Sequence, residues 1–176
     1  MSLSDSRVLV LAADLFEDSE LLYPVLRLTE EGANVTTASP DGAAVTGKKG
    51  HGPFPVDAAV DAVSADDFDG LVIPGGFAPD ALRRSPAVLD LVRAFDLAGK
   101  PIAFICHAGW VPISAGIIDG RRATSFSAIK DDMVNAGCVW EDAEVVVDGN
   151  LISARHPGDL GPWLRATITA LGGRVT

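Results

Sequence analysis

Cys106 stands at the end of an apolar run, Ile102-Ala103-Phe104-Ile105, and is followed by His107-Ala108-Gly109, which reads as the first turn of a helix. A thiol at such a junction meets unpaired backbone N–H groups and the positive end of a helix dipole. Both favour thiolate over thiol, and both suit the oxyanion of an attacked carbonyl. Nucleophilic chemistry at Cys106 is the expected activity. Three further segments follow predicted strands and carry groups that could complete it: Asp14-Leu15-Phe16-Glu17-Asp18, Pro74-Gly75-Gly76 and Arg155-His156-Pro157-Gly158. In an open α/β sheet, ligands bind outside the carboxyl ends of the strands, where these loops would meet.

Glu17 is the acid expected to pair with Cys106, because a partly buried carboxyl beside a nucleophile can stay protonated and move a proton. The bland alternative, that Glu17 only opens the next helix, weighs equally; Asp18 reads first as a helix cap. Gly75 and Gly76 could bring backbone N–H groups close to a substrate oxygen, since no Cβ stands in the way, although a simple turn explains the dipeptide as well. His107 is a candidate base or ion-pair partner for the thiol. Arg155 and His156 are candidates for holding an anionic substrate; His51 reads as an ordinary loop histidine. Three histidines and two cysteines show no metal-ligand spacing, and no glycine-rich nucleotide fingerprint is present, so neither metal nor cofactor is expected. Cys138 follows the Gly137 helix stop and reads as a structural thiol rather than a disulfide partner of Cys106.

The elements that must position these groups alternate between apolar strands and amphipathic helices, which predicts an α/β protein with a mostly parallel sheet covered on both faces. Val8-Leu9-Val10-Leu11 is the first predicted strand, followed by a helix over residues 18–31 and a strand over 35–39. Residues 43–66, punctuated by Gly47, Gly50, Gly52, Pro53 and Pro55, read as a small antiparallel excursion. Then come a strand over 70–73, a helix over 85–98, the cysteine strand 102–105 with a helix over 107–115, and a helix over 127–136. Val145-Val146-Val147 and residues 151–154, joined by Asp148-Gly149-Asn150, predict a hairpin, because Asp-Gly supplies the positive φ of a tight turn. A helix over 158–171 closes the chain.

At 176 residues, the chain is long enough for one well-filled core and short for two, so a single domain over 1–176 with its core in about 7–172 is expected. No apolar run is long enough to span a membrane and no secretory signal precedes Val8, which predicts a cytoplasmic protein. A formal net charge of −10, with no basic block beyond Lys48-Lys49 or Arg121-Arg122, argues against a stable nucleic-acid complex.

Several motifs in order carry a resemblance. Ala13-Asp14-x-Phe16-Glu17-Asp18-x-Glu20 with Tyr23-Pro24, Gly50-His51-Gly52, Ile73-Pro74-Gly75-Gly76-x-Ala78-Pro79, Ile105-Cys106-His107-Ala108-Gly109-Trp110 and Ser153-x-Arg155-His156-Pro157-x-Asp159-Leu160 are similar to the PfpI family, within the class I glutamine-amidotransferase-like superfamily. The resemblance covers roughly residues 7–172. It implies a flavodoxin-like three-layer sandwich, Cys106 on a strained turn, Glu17 within hydrogen-bond reach of its sulfur, and a homodimer or a hexamer built from it. It also implies that a neighbouring subunit's carboxylate completes His107, at the position of Asp80, where the family commonly has the longer Glu. The activities implied are cofactor-free glyoxalase or deglycase chemistry on reactive carbonyls or glycated protein. The alternatives are redox sensing or a chaperone-like role through Cys106 oxidation, and intracellular peptidase activity. Thiol addition to an aldehyde followed by one proton shift needs only a cysteine and a carboxyl group, whereas peptide cleavage also needs a well-placed histidine; dicarbonyl chemistry is the leading expectation.

Overall fold

The computed structural model describes residues 3–173; the outermost residues of the expected domain, 1–2 and 174–176, lie outside the described part. The strands in chain order are β1 (Arg7–Leu11), β2 (Asn34–Ser39), β3 (Ala58–Ala59), β4 (Gly70–Ile73), β5 (Ile102–Ile105), β6 (Arg122–Ala123), β7 (Val139–Trp140), β8 (Val145–Asp148) and β9 (Leu151–Ala154). The helices are α1 (Asp18–Glu30), α2 (Ala78–Leu82), α3 (Pro86–Leu97), α4 (Trp110–Ala115), α5 (Lys130–Asn135) and α6 (Leu160–Ala170). Seven strands form one sheet in the order β3-β2-β1-β4-β5-β9-β8, parallel except for the β8–β9 pair.

The continuous apolar strands explain this sheet. Every residue of β4, β5 and β9 is buried, as strands covered on both faces require, and each large aliphatic side chain so buried contributes about 1.5–3 kcal/mol. The step from β1 to β2 runs one way along the sheet and the step from β4 to β5 runs the other. Right-handed crossovers therefore place α1 and α3 on opposite faces, where α1 meets α6 and α3 packs on α4. The strand order reverses between β1 and β4. That switch point, with β5 beside it, gathers the loops after β1, β4 and β5 at one end of the sheet.

The expected α/β class, the hairpin and the order of the large elements are all present. The hairpin's Gly149 has the positive φ that its turn demands (+58°). Three local features differ from the expected elements. Within residues 43–66 only Val45 and Phe54 bridge antiparallel, while β3 joins the main sheet parallel to β2. The five-residue α2, which opens on Ala78-Pro79 one residue after the glycine pair, has no counterpart among the expected elements, being too short to show a period. The helices expected from 107 and 127 each begin as a 3-10 turn, Cys106–Gly109 and Ser127–Ile129, before α4 and α5. A small parallel pair, β6 with β7, adds a second sheet. Cys138, just ahead of β7, is a buried free thiol, as is Cys106. Among the described residues no helix is long and apolar enough to cross a membrane, and no cluster of His, Cys, Asp or Glu could hold a metal ion.

Candidate active site

Cys106 is the first residue after β5 and takes φ +63°, a left-handed conformation rare outside glycine that costs roughly 1–3 kcal/mol. The strain is held by its neighbours: the Cys106 carbonyl accepts the Phe126 N–H at 3.2 Å, and the residue as a whole is buried. The loops after β1 and β4 are tied beside it through Phe16, which bridges to both Gly76 and Gly47, with Phe77 N–H donating to Leu15 O at 2.9 Å.

The carboxyl beside the sulfur belongs to Glu20, not Glu17. Glu20 is wholly buried in the first turn of α1, and its Oε2 accepts the Gly75 N–H at 2.8 Å. A Cβ placed on Gly75 would lie 2.6 Å from Glu20 Oε2 and 2.8 Å from Cys106 Cβ, so the glycine is the gap through which acid and nucleophile meet. Its other oxygen, Oε1, finds no nitrogen or oxygen donor among the described residues. Burial first, and then the charge of Glu17, push the Glu20 carboxyl up to about 7, against the opposing hydrogen bond from Gly75. The expected position of Glu17 is corrected accordingly. The buried Glu17 carboxylate meets Lys48 Nζ at 2.5 Å and Lys49 Nζ at 2.8 Å. Burial alone would raise its pKa, but the two ammonium groups outweigh that and hold it below the usual carboxylate range. Glu17 is thus an ionised partner of lysines and unsuited to hold a proton at neutral pH. Asp18 does not cap its own helix either: its carboxylate accepts the N–H groups of Lys49 (3.0 Å) and His51 (3.2 Å), clamping the loop that delivers the two lysines.

The thiol itself departs from expectation. Burial, and then the charge of Glu20, push Cys106 up to about 12, although the backbone N–H groups of His107 and Gly76 pull the other way. The donors foreseen at the strand-to-helix turn are present, but desolvation and a neighbouring carboxylate outweigh them. Gly75 is no oxyanion donor, because its N–H is spent on Glu20; Gly76, with φ +79° and no room for a side chain, keeps its N–H toward the sulfur. His107 Nδ1 lies 3.2 Å from Cys106 Sγ, with the imidazole stacked on Phe126 at 5.0 Å and edge-on to Trp110 at 5.4 Å. Burial and the Lys48 charge lower its pKa, so the ring is neutral at pH 7 and forms no thiolate–imidazolium pair.

Around Cys106 is a cavity of about 220 Å³ walled by Glu17, Lys48, Phe77, His107, Phe126 and Pro157. Asp80 lies exposed on α2 and pairs with Arg84 at 3.2 Å rather than with His107. Arg155 and His156 line a different cavity, and Arg155 is no free cation for an anionic substrate: Asp159 and Asp142 bind it at 2.8 Å each, raising its pKa further. The residues not foreseen are Glu20, Lys48, Lys49, Phe77 and Phe126. Replacing Gly75 with Ala is expected to cost about 1–3 kcal/mol of stability through overpacking and to displace Glu20 from the thiol. Urea unfolding together with thiol-labelling rates measures both effects.

Fold and site define an α/β protein with a buried thiol and a protonatable carboxyl at the switch point of its sheet. Residues 6–170 match the DJ-1/PfpI family, and the chain belongs to that family. A deglycase of Pyrococcus abyssi is 50% identical over 165 residues, covering 94% of this chain and 99% of the relative. Among solved structures, Drosophila melanogaster DJ-1beta superposes with a TM-score of 0.90 at 33% identity, covering 99% of this chain and 92% of that one. A two-domain Anabaena variabilis protein with DJ-1/ThiJ/PfpI-like and ferritin-like domains gives a TM-score of 0.93 at 37% identity, over 96% of this chain; the chain spans 48% of its length.

Proposed function

We propose that this protein is a cytoplasmic, cysteine-dependent enzyme that acts on reactive α-dicarbonyls and the adducts they form, with methylglyoxal converted to lactate as its simplest reaction. The observation that carries this reading is the contact of a nucleophile with a single buried acid that exchanges its proton near neutrality, in a cavity of about 220 Å³. Such a space suits a three-carbon substrate. The deglycase name of the Pyrococcus abyssi relative supports the same class of chemistry.

The steps balance without a redox partner. Cys106 Sγ bonds to the aldehyde carbon as its proton passes to the Glu20 carboxylate, and the hydrogen bonds of the Gly76 and His107 N–H groups shift from sulfur toward the new oxyanion, which is then protonated to a hemithioacetal. Glu20, again ionised, removes the proton on that carbon and passes it to the ketone oxygen as the electron pair moves there, giving an enediol. Glu20 then takes the proton of the hydroxyl on the first carbon and delivers it to the second carbon, leaving a lactoyl thioester on Cys106. Water hydrolyses the thioester to lactate and restores the thiol, so one dicarbonyl and one water become one hydroxy acid. A peptidase reading is weaker, since His107 is neutral and Asp80 does not orient it within one chain. A homodimer or hexamer in which a neighbour's Asp80 approaches His107 belongs to the same proposal.

The test is lactate formation from methylglyoxal, without glutathione or added metal, by the wild type and by Cys106→Ala. Turnover in the reduced wild type that vanishes in the variant, with unfolding behaviour unchanged, is the expected result. Lactate production that survives in Cys106→Ala, or its absence from the wild type, would overturn the proposal.

A further inference from the structure

The second cavity, of about 260 Å³, shares Phe126 as a wall residue with the Cys106 cavity. The two are also joined along the chain: His156 lines one and Pro157 the other. Neither alone reaches the roughly 300–1,000 Å³ of a pocket for an extended ligand, whereas together they do. A three-carbon carbonyl needs only the first.

The walls of the second cavity are fixed in advance. Trp140 Nε1–H donates to Ser125 Oγ at 3.0 Å, and Ser125 Oγ–H donates to the Phe126 carbonyl at 3.1 Å, which ties the indole to the partition between the cavities. Arg155 is clamped by the buried Asp159 through Nε (2.8 Å) and Nη2 (3.1 Å), and by Asp142 through Nη1 (2.8 Å). Those three bonds leave two of its five N–H donors uncommitted. His156 Nδ1 accepts the Gly158 N–H at 3.1 Å, which leaves Nε2, 4.0 Å from Asp159 Oδ2, as the ring's donor.

This is a set of donors beside an indole that Lys130 Nζ already approaches at 4.9 Å from the ring centroid, and the Asp142, Arg155, Asp159 and Lys130 side chains sum to no net charge. Such a site suits neutral carbonyl oxygens, and the chain's overall charge of −10 disfavours phosphate. Amide carbonyls, with a flat side chain against the part of the indole that lines the cavity or a cationic one against Asp142, fit that chemistry. We propose that the Trp140–Arg155 cavity is a subsite for polypeptide, binding the backbone next to a modified side chain while Phe126 separates it from the adduct at Cys106. It rests on the reading of Cys106 as the residue that attacks the carbonyl adduct.

The test measures binding without turnover. ¹⁵N-labelled Cys106→Ala protein is titrated with acetyl-Ala-Arg-Ala-amide at millimolar concentration, reading the Trp140 indole N–H and the Arg155 Nε–H. Both signals are expected to shift with saturation. Trp140→Ala should weaken binding about 3–10-fold as read at Arg155, in line with the loss of an aromatic contact. The exposed Asp142→Asn variant should weaken it as well, and it covers the case in which Trp140→Ala misfolds. Unmoved Trp140 and Arg155 signals, affinity unchanged in both variants, or stronger shifts with guanosine monophosphate than with peptide would each overturn the subsite. If peptide binds but wild-type enzyme makes no lactate, the subsite stands and the proposed reaction falls.

Discussion

Glu20→Gln is expected to lower kcat/KM for lactate formation from methylglyoxal by about 10²–10⁴-fold, the range that a positioned acid–base group supplies, whereas Glu17→Gln should lower it less than about 10-fold. The two acids sit three residues apart in one segment and differ in what surrounds them. Glu20 is sealed against Gly75 and Cys106 and titrates near 7, where taking up and releasing a proton cost least. Glu17 is held ionised by Lys48 and Lys49 and has no proton to give. The wild-type rate should rise as pH climbs through about 7, as Glu20 becomes the base that takes the thiol proton, and this limb should vanish in Glu20→Gln. Equal losses in the two variants, or an unaltered pH limb in Glu20→Gln, would sink the assignment. Initial-rate measurements between pH 5 and 9 on the three proteins decide it.

The distinction between those acids marks how far the sequence could be read. Cys106 was legible because strand β5 is continuously apolar and the thiol interrupts it, and the loops after β1 and β4 followed from the same strand logic. Which carboxyl meets the sulfur depends on the entry of α1. Strand logic points to an acid in the loop, but the chain turns into the helix one residue after Glu17. Glu20 then falls on the inward stripe with Pro24 and Leu28, at spacings of four and eight. A charged residue on the apolar face of a helix was the available signal. Lys48 and Lys49 were illegible for another reason: their loop is placed by Asp18 and by the Phe16 bridges, contacts more than thirty residues apart in sequence. Arg155 misled because a basic residue beside a candidate site looks like an anion binder until its partners are known, and Asp142 is thirteen residues away.

The same carboxyl makes a stability prediction of opposite sign to its catalytic one. Glu20 has its pKa raised from 4.5 to about 7 in the folded protein, so between those values the native state keeps a proton that the unfolded chain has lost. A raised carboxyl contributes its stability below the unfolded value and loses it as pH rises through the folded one, a fall of about 3 kcal/mol across the window. Glu17, Asp69, Asp148 and Asp159 are shifted down, and they stabilise in the other direction as pH rises from acid, so the absolute curve mixes the two. The difference between Glu20→Gln and wild type isolates the buried acid. Gln keeps the shape and can still accept the Gly75 N–H, but it has no charge to bury. The variant should match wild type near pH 4.5 and exceed it by about 3 kcal/mol at pH 8, read from urea unfolding at the two pH values. An inactive protein that is more stable above pH 7 is what a group retained for chemistry at the expense of the fold must produce. A purely structural glutamate, removed, would leave the protein weaker at both.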